Sequence, residues 1–282
     1  MGARWGQCFL VDHDAARRIV EWAAIDGRDV VEIGPGRGAL TELLRERSRS
    51  LAMIEIDPRL AAELEQKYRG DPAVTVVHAD ALRVDWSTIA APGFTVVANL
   101  PYETGTAIVA SLLERRHLVR ELVVMLQKEV VARLGAAAGN KTYGGLSVLV
   151  QMLAEVERGM VLAPRSFRPR PAVESQMVRI RPLARPRFDL GDEAELEFVV
   201  RSAFAHRRKM LRNNLGAAVD ARFGAGAAED VMARAEIAGD SRPEQLGLEQ
   251  FAALVRAVVR RRDAEPPAQP ADPDRIRPVR HA

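Results

Sequence analysis

The chain contains one cysteine, Cys8, among 282 residues. An internal disulfide is therefore excluded, and a single thiol is typical of a protein kept in a reducing compartment. The sequence also lacks a run of about 20 uncharged apolar residues, which is the length that crosses a bilayer. Residues 1–5 carry no apolar signal core. We therefore expect a cytoplasmic protein that has no membrane partner.

Internal repeats and metal-ligand patterns are missing as well. Neither Cys8 nor His13 has a partner at the spacing of metal ligands, so no bound metal is predicted. Neither sign of charge predominates, because 41 Lys and Arg against 38 Asp and Glu give a formal net charge of only +3. This weak basic excess favours a polyanionic partner only modestly, because net charge does not show where the charges lie.

Apolar residues, by contrast, are plentiful and regularly arranged. They make up 48% of the chain, and short β-branched runs alternate with amphipathic stretches such as 59–68 through the first two thirds. Near-continuous apolar runs are typical of parallel strands that are covered on both faces. Their alternation with helical patterns predicts a Rossmann-like, doubly wound α/β domain. The predicted strands are 30–33, 51–55, 74–77, 95–98 and 122–126.

The pattern changes near residue 160, where proline and arginine become frequent, and helical patterns resume from about Glu193. We therefore predict an α/β domain over 1–183 and a second, smaller C-terminal helical domain over 184–262. From Asp263 onward the chain carries five prolines and no apolar periodicity. Residues 263–282 are accordingly predicted to be a disordered tail.

A glycine-rich loop, 34–38, follows the first predicted strand and opens a helix. Glycine lets a backbone turn tightly and approach a ligand, and the next helix presents free N–H groups. The loop lacks the G-x-G-x-x-G spacing of nicotinamide dehydrogenases, which disfavours a nicotinamide cofactor. It also lacks a phosphate-binding lysine, which disfavours a nucleoside triphosphate. Glu32, just before the loop, is expected either to contact the ligand's amino group through water or to cap the loop. Taken alone, the loop is also compatible with a purely structural turn.

Two further acids strengthen the case for a ligand. Glu55 ends the second predicted strand, where an acid accepts hydrogen bonds from ribose hydroxyls. Asp80 follows the third strand and is placed to accept from an exocyclic amine such as that of adenine. Because ligands of open α/β sheets bind beyond the carboxyl ends of the strands, both acids and the loop belong to one edge. Together they indicate an adenosyl ligand.

The segment Asn99-Leu100-Pro101-Tyr102 follows the fourth predicted strand at the same edge. An adenine amine is a weak nucleophile, and two acceptors that hold its N–H groups favour a pyramidal nitrogen. The Asn99 side-chain oxygen and the Leu100 carbonyl form such a pair, and Pro101 restricts Leu100 to extended geometry. Tyr102 is placed to stack on the base, a contact worth about 1–3 kcal/mol. The segment has no general base, which suits an activated methyl donor; a proline turn with a buried tyrosine is the alternative.

Basic residues are more clustered than the net charge suggests. They fall after one predicted helix, around Phe167, and on one arc of a helical projection of 198–212. Such an arc is ordinarily a solvated face, whereas basic groups beside a base-handling site favour phosphate contacts. The predicted RNA contacts are Arg115, Arg116, Arg165, Arg168, Arg170, Arg201, Arg208, Lys209 and Arg212.

The glycine loop, the two acids and the segment 99–102 resemble the KsgA/RsmA family, the rRNA adenine N6,N6-dimethyltransferases, which are related to the Erm resistance methyltransferases. The similarity extends from Gly6 to about Leu215 and includes residues 32–38, 55–57, 80–82 and 99–102. Further ordered matches are Gly6-Gln7-Cys8-Phe9-Leu10 and residues 126–129, 143–148, 167–171 and 207–209. So many matches in order make the resemblance highly specific.

The resemblance implies S-adenosyl-L-methionine as cofactor, with S-adenosyl-L-homocysteine as its product. Gln7 and Leu10 are implied to border the methionine part, and Phe167 to contact the base from the far side. The implied cofactor-binding residues are Gln7, Leu10, Glu32, Gly34, Gly36, Glu55, Ile56, Asp80, Ala81 and Asn99. The residues implied to handle the base are Asn99, Leu100, Pro101, Tyr102 and Phe167.

The implied substrate is a pair of adjacent adenosines in the 3′-terminal hairpin loop of small-subunit (16S) rRNA, each methylated twice. The expected partner is an immature small ribosomal subunit, and a monomer is expected. Two features depart from the family: only Arg4 precedes the Gly-Gln motif, and residues 103–106 replace an Asn-Ile-Ser/Thr type sequence.

Two alternatives remain. The first is an Erm-like enzyme that acts on large-subunit rRNA, which Tyr102 and residues 143–148 and 167–171 disfavour. The second is a non-catalytic ribosome assembly factor, which would keep its basic surface but could dispense with Glu55 or Asn99.

Overall fold

The computed structural model describes residues 8–206 and 208–264. The chain divides into two compact units after Arg187, four residues later than the predicted boundary at 183. The difference has a local cause, because residues 183–187 remain hydrogen-bonded to the end of a helix in the first unit. The Leu183 N–H donates to the Leu153 carbonyl and the Arg187 N–H to the Met152 carbonyl, each at 2.8 Å.

The first unit alternates strands and helices along the chain. All five predicted strands are confirmed, each within one to three residues at either end. Two long strands, β7 and β9, were not predicted. The elements are β1 (Phe9–Leu10), α1 (His13–Ala23), β2 (Asp29–Ile33), α2 (Thr41–Arg47), β3 (Ser50–Glu55), α3 (Pro58–Lys67), β4 (Val74–His78), β5 (Phe94–Asn99), α4 (Gly105–Glu114), β6 (Val119–Gln127), α5 (Lys128–Leu134), α6 (Gly145–Leu153), β7 (Ala154–Leu162), β8 (Phe167–Arg168) and β9 (Ser175–Pro182).

Seven strands form one sheet in the order β4-β3-β2-β5-β6-β9-β7. The strands β4, β3, β2, β5 and β6 are parallel, whereas β9 is antiparallel to both β6 and β7. From the central pair β2 and β5 the chain winds outward in opposite directions. The loops that follow these two strands therefore diverge and leave a crevice at the carboxyl edge, as expected at a topological switch point.

The missed strands differ from the others in their surroundings. The segment 122–126 of β6 is at most 2% exposed at every residue, so it reads as a continuous apolar run. β7 lies at one edge of the sheet, beyond β9, and its Glu155, Glu157 and Arg158 interrupt the apolar pattern. An edge strand with one face towards solvent carries charges of this kind, which explains why apolar periodicity alone did not indicate it.

The second unit is helical. It comprises α7 (Ala194–Ala203), a π-helical turn (Arg212–Gly216), α8 (Ala217–Phe223), α9 (Ala227–Arg234) and α10 (Leu248–Ala264). The helix α10 includes Asp263 and Ala264, so the predicted tail does not begin at 263. Arg262 donates to Asp192 at 2.6 Å and to Asp263 at 3.0 Å, which holds the last turn of α10. Residues 265–282 of the predicted tail lie outside the described residues.

The single arc predicted over 198–212 is also wrong, because these residues are not one helix. The helix α7 ends at Ala203, and the chain turns before the π-helical turn begins at Arg212. The buried Asn214 side chain donates to the carbonyls of Ala203 and His206, at 2.8 and 3.0 Å. Arg201 therefore lies on α7, whereas Arg208 and Lys209 lie in the turn that Asn214 holds.

The helices bury one face each. In α1 the buried residues are Ala15, Ala16, Ile19, Val20 and Ala23, which recur at helical spacing. Within the two described ranges, no helix is both long enough and apolar enough to span a bilayer.

One buried carboxylate joins three helices of the second unit. Glu195 of α7 is 4% exposed and accepts from both terminal nitrogens of Arg222, at 2.6 and 2.8 Å, and from Arg262 at 3.2 Å. We expect Glu195→Ala to lower the free energy of unfolding by about 2–4 kcal/mol, because it leaves two partly buried guanidinium groups without this partner. Urea unfolding followed by circular dichroism measures the change.

The matched control is Glu197→Ala on the same helix. Glu197 pairs with Arg201 in solvent, with side chains 55% and 76% exposed, so its loss should cost less than about 0.5 kcal/mol. Equal losses for the two variants would contradict the structural role of Glu195.

Candidate active site

Two adjoining cavities lie in the crevice at the carboxyl edge. The first has a volume of about 70 Å³ and the second of about 30 Å³; Phe9, Gly34 and Asn99 line both. The structure thus brings together the glycine loop, the end of β3 and the segment after β5. The first cavity is lined by Cys8, Phe9, Gly34, Gly36, Glu55, Ile56, Asn99, Leu100, Pro101 and Tyr102.

The glycine loop wraps closely around the cavity wall. Gly34 and Gly36 have φ angles of +64° and +57°, a region that favours glycine. A Cβ atom at Gly36 would lie 2.9 Å from the ring of Phe9, closer than carbon atoms pack. Glycine is therefore required at position 36 both by backbone conformation and by the approach of the Phe9 ring.

Glu55 is fixed at the base of this loop. Its carboxylate is 1% exposed and accepts hydrogen bonds from the N–H groups of Gly36, at 3.0 Å, and Asp57, at 2.9 Å. Each carboxylate oxygen has two lone pairs, so each keeps one acceptor position beyond these backbone bonds. Glu55 thus ties the loop to β3 and remains able to accept from a ligand.

Glu32 faces the smaller cavity and accepts a hydrogen bond from the Thr41 hydroxyl at 2.8 Å. Thr41 begins α2, so this bond joins the end of β2 to the first turn of α2. It does not reach the backbone of loop 34–38, so both predicted roles of Glu32, capping of the loop and a contact through water, stay predictions. Burial raises the pKa of the Glu32 carboxyl to about 8, against the opposing effect of the Thr41 hydrogen bond. Near neutral pH the group is therefore largely protonated.

The Asn99 side chain uses its nitrogen within the protein. Nδ2 donates to the Cys8 carbonyl at 2.9 Å. A carbonyl only accepts, so this contact fixes which side of the amide faces the N-terminal segment. Among the described residues, no group donates to Asn99 Oδ1. The amide oxygen is therefore the acceptor that Asn99 has left at the cavity.

Leu100 and Pro101 continue from β5 into a tight turn. The Leu100 N–H donates to the Met125 carbonyl at 3.2 Å, and the Gly105 N–H donates to the Pro101 carbonyl at 2.8 Å. Within the described chain, the Leu100 carbonyl accepts no hydrogen bond. A Cβ atom at Gly105 would lie 2.7 Å from Leu126 Cδ2. Gly105 belongs to residues 103–106, which differ from the family pattern, and the missing side chain lets α4 begin close to Leu100.

Tyr102 is held by a residue that the sequence did not indicate. Its hydroxyl and the Ser175 hydroxyl are 2.7 Å apart in a hydrogen bond, and Ser175 is fully buried. Burial raises the pKa of Tyr102, although the Ser175 hydrogen bond lowers it in part. Ser175 begins the unpredicted strand β9, so no signal in the sequence placed it beside Tyr102.

Other predicted residues are not brought to the first cavity. Phe167 is 1% exposed and packs in the hydrophobic core with Leu10 and Met177, so a contact with the base would require its ring to leave the core. Asp80 accepts from the Leu82 N–H at 2.9 Å in a turn after β4, and its neighbour Ala81 is 7% exposed; neither is among the residues that line the two cavities. Gln7 lies outside the described residues.

The basic residues of the first unit lie at two different edges. Arg165, Arg168 and Arg170 are exposed on the connection into β9 at the carboxyl edge. Arg115 and Arg116 follow α4, which starts at that edge and runs back to the opposite one, where β6 begins. The prediction that these two arginines lie beside the base-handling site is therefore wrong.

Two residues that line the first cavity, Cys8 and Phe9, lacked a predicted role in the site. Cys8 contributes its carbonyl to Asn99, and Phe9 separates the two cavities while the Arg37 guanidinium lies 5.1 Å from the centre of its ring. Both belong to the Gly6–Leu10 match, which pointed to this segment but not to these roles.

Comparisons with known proteins identify relatives of this chain. A family model described as ribosomal RNA adenine dimethylase matches residues 2–257. The chain belongs to this family. A ribosomal RNA small subunit methyltransferase A from Geobacter sulfurreducens is 41% identical over 260 residues, which cover 90% of this chain and 94% of that one.

Solved structures confirm the predicted fold class. A dimethyladenosine transferase from Plasmodium falciparum superposes with a TM-score of 0.73 at 22% identity, over 90% of this chain and 98% of that one. The 23S rRNA methyltransferase ErmE gives a TM-score of 0.63 at 28% identity, over 89% and 99%. This chain thus has the Rossmann-like α/β fold that the strand pattern predicted.

The protonated Glu32 makes stability depend on pH. Its pKa is raised from 4.5 to about 8 on folding, so between these values the folded chain binds a proton that the unfolded chain has released. The contribution of this group is therefore largest at low pH and falls as the pH rises towards 8, by up to about 1.4 kcal/mol per pH unit. We expect Glu32→Gln to remove this decline.

Urea unfolding of the ligand-free protein at pH 6, 7 and 8 measures both slopes. The difference between wild type and variant isolates Glu32, because every other titrating group is shared. Parallel slopes would show that Glu32 is ionised in the folded protein.

The hydrogen bond between Tyr102 and Ser175 predicts an energetic coupling. Tyr102→Phe and Ser175→Ala each remove one hydroxyl of the same bond and should each lower the free energy of unfolding. In the double variant the losses should not add, and the coupling should be about 0.5–1.5 kcal/mol. A double-mutant cycle by urea unfolding measures it, and additive losses would contradict the bond.

Proposed function

We propose that the protein transfers methyl groups from S-adenosylmethionine to N6 of two adjacent adenosines in the 3′-terminal hairpin loop of small-subunit rRNA, twice each. Membership of the ribosomal RNA adenine dimethylase family supports the reaction class. The 41% identity to a small-subunit enzyme over 90% of the chain supports the choice of RNA. We further propose that the protein acts as a monomer in the cytoplasm on immature small subunits.

One observation carries the proposal. At the cavity Asn99 has an amide oxygen free to accept, because its nitrogen is bound to the Cys8 carbonyl. The Leu100 carbonyl is a second acceptor at the next residue, and the ring of Tyr102 forms part of the same wall. Two acceptors beside an aromatic ring match an adenine amine, which offers two N–H donors on a flat base.

The residues at the carboxyl edge also fit an adenosyl cofactor. Glu55 would hold the ribose hydroxyls with the acceptor positions that its two backbone bonds leave. Gly34 and Gly36 would let the loop backbone approach the ligand, since a side chain at Gly36 would already clash with Phe9. Asp80 stays the predicted partner of the adenine amine. When bound, S-adenosylmethionine supplies a methyl group that is activated by a positively charged sulfur.

The residues then act by positioning rather than by taking a proton before transfer. Asn99 Oδ1 and the Leu100 carbonyl would orient the N6 lone pair by holding its N–H groups, and Tyr102, fixed by Ser175, would hold the plane of the base. Such preorganised acceptors lower a barrier because they need no rearrangement during the reaction. Buried Glu32, being largely protonated, adds little negative charge near this site.

The basic residues would bind the RNA backbone. Arg165 and Arg170 are exposed at the carboxyl edge and form no ion pair with the described residues. In the second unit, Arg208 and Lys209 are exposed in the turn that Asn214 holds. Exposed cations of this kind neutralise phosphates and carry no sequence preference.

Methylation of purified ribosomal subunits tests the proposal. The protein, labelled S-adenosylmethionine and immature small subunits should yield N6,N6-dimethyladenosine after digestion of the rRNA. Label only in large-subunit rRNA would identify an Erm-like enzyme, and no label in either would identify a non-catalytic factor; both outcomes overturn the proposal.

Removal of the Asn99 amide should separate transfer from binding. We expect Asn99→Ala to slow methylation by about 10²–10³-fold, the effect of losing one preorganised hydrogen-bonding group, while the Kd for RNA changes less than about twofold. Single-turnover methylation and filter binding measure the two quantities. The control is Asn140→Ala, at an exposed turn, which should match wild type; unchanged transfer in Asn99→Ala would refute the role of Asn99.

A further inference from the structure

A much larger cavity lies at the opposite edge of the same sheet. Its volume is about 720 Å³, and its charged lining residues are Arg28, Arg120, Glu121, Glu155, Arg179 and Arg181. We call it the basic cavity. It sits at the amino end of β6, where Leu122 pairs with Ile180 of the antiparallel strand β9. The strands thus separate it from the crevice beside Asn99.

Arginines of the basic cavity converge on one buried carboxylate. Glu121 has a side chain that is 5% exposed and pairs with Arg28, with Arg179 at 2.8 Å and with Arg181 at 3.6 Å. Burial alone would raise the pKa of Glu121, but the hydrogen bonds and charges of Arg179 and Arg28 lower it. The carboxylate is therefore ionised, and it fixes the guanidinium groups in place.

Positive charge remains in excess after this pairing. The lining holds four guanidinium groups and two carboxylates, and Glu157, which pairs with Arg181 at 3.0 Å, adds one more negative charge. One net positive charge is left. Since a guanidinium group carries five N–H donors and a carboxylate about four acceptor positions, the cavity also has more donors than acceptors.

Arg120 is the group that carries this excess. The register of β5 and β6 shifts between Phe94 and Thr95, so that Thr95 faces Glu121 and Arg120 is left outside the pairing. Arg120 is exposed and makes no ion pair with the described part of the chain. Its neighbour Arg116 lies on the same side, with Nε donating to the carbonyl of Leu183, which also lines the cavity.

We propose that the basic cavity binds backbone phosphate groups of the RNA substrate. Arginine recognises phosphate through paired N–H groups, and guanidinium groups fixed beforehand by Glu121 lose little freedom on binding. The inference rests on the proposed function, and it adds a requirement to it. The RNA must reach the edge of the sheet that faces away from Asn99, so a folded RNA that extends around the first unit binds more tightly than the isolated hairpin.

Charge reversal at Arg120 tests this contact. We measure the Kd of the full-length protein for immature small subunits and for the isolated hairpin at several salt concentrations. For subunits, Arg120→Glu should raise Kd about tenfold and reduce the slope of log K against log salt by about one. For the hairpin, Kd should change less than about twofold. Arg120→Gln should give a smaller change in the same direction.

The matched control is Arg69→Glu. Arg69 is an exposed arginine that follows α3 on the β4 side of the sheet, without an ion pair to the described residues. It reports the general effect of adding negative charge. If Arg69→Glu weakens subunit binding as much as Arg120→Glu, or if Arg120→Glu affects hairpin and subunit equally, the proposal is overturned.

Titration calorimetry with inorganic phosphate distinguishes the source of the phosphate. Phosphate binding that Arg120→Glu abolishes, together with unchanged subunit affinity, would identify a site for a free anion and overturn the RNA assignment. Methylation by the wild-type protein in the same preparations tests the proposed function separately. Methylation with no effect of Arg120→Glu on subunit binding therefore refutes only this contact.

Discussion

The hydrogen bond from Asn99 Nδ2 to the Cys8 carbonyl is the constraint on which the site depends. It joins the end of the central strand β5 to the segment that enters β1. Because a carbonyl only accepts, the bond orients the amide and leaves its oxygen at the cavity. The same segment carries the Phe9 ring, against which only glycine fits at position 36. The bond between Asn99 and Cys8 thus orients the acceptor for the base and holds the segment whose Phe9 ring lies against the glycine loop.

Strand direction divides the chemistry of the first unit between two edges. The loops after β2, β3 and β5 bring glycine backbone, Glu55 and Asn99 to the carboxyl edge. Helix α4 begins there and returns the chain to the other edge, where the arginines surround Glu121. Acceptors for a base and donors for phosphate are therefore kept apart by the sheet, and Glu121 can fix several cations without placing its charge beside the amine.

Much of the fold could be predicted because each central strand has a sequence pattern that can be recognised without knowing its neighbours in the sheet. The central strands are buried on both faces, so their apolar runs are continuous. A glycine loop follows β2, and an acid ends β3. The edge strand β7 carries charges on its open face, and β9 contains Arg179 and Arg181, which pair with Glu121 rather than with solvent alone. Apolar periodicity cannot detect a strand whose charges are neutralised by residues far away in the chain.

The α/β class, the positions of the central strands along the chain and the edge that holds residues 99–102 could all be predicted from the sequence, because strand–helix alternation indicates a parallel sheet whose ligands bind at the carboxyl edge. Three features became apparent only in the folded chain: Ser175 holds Tyr102, the Phe167 ring lies in the core, and Arg115 and Arg116 lie away from the base. These facts depend on contacts between distant segments and on the direction in which α4 crosses the sheet. Local sequence patterns carry no information about such contacts, since each residue's partner is chosen by packing rather than by its neighbours in the chain.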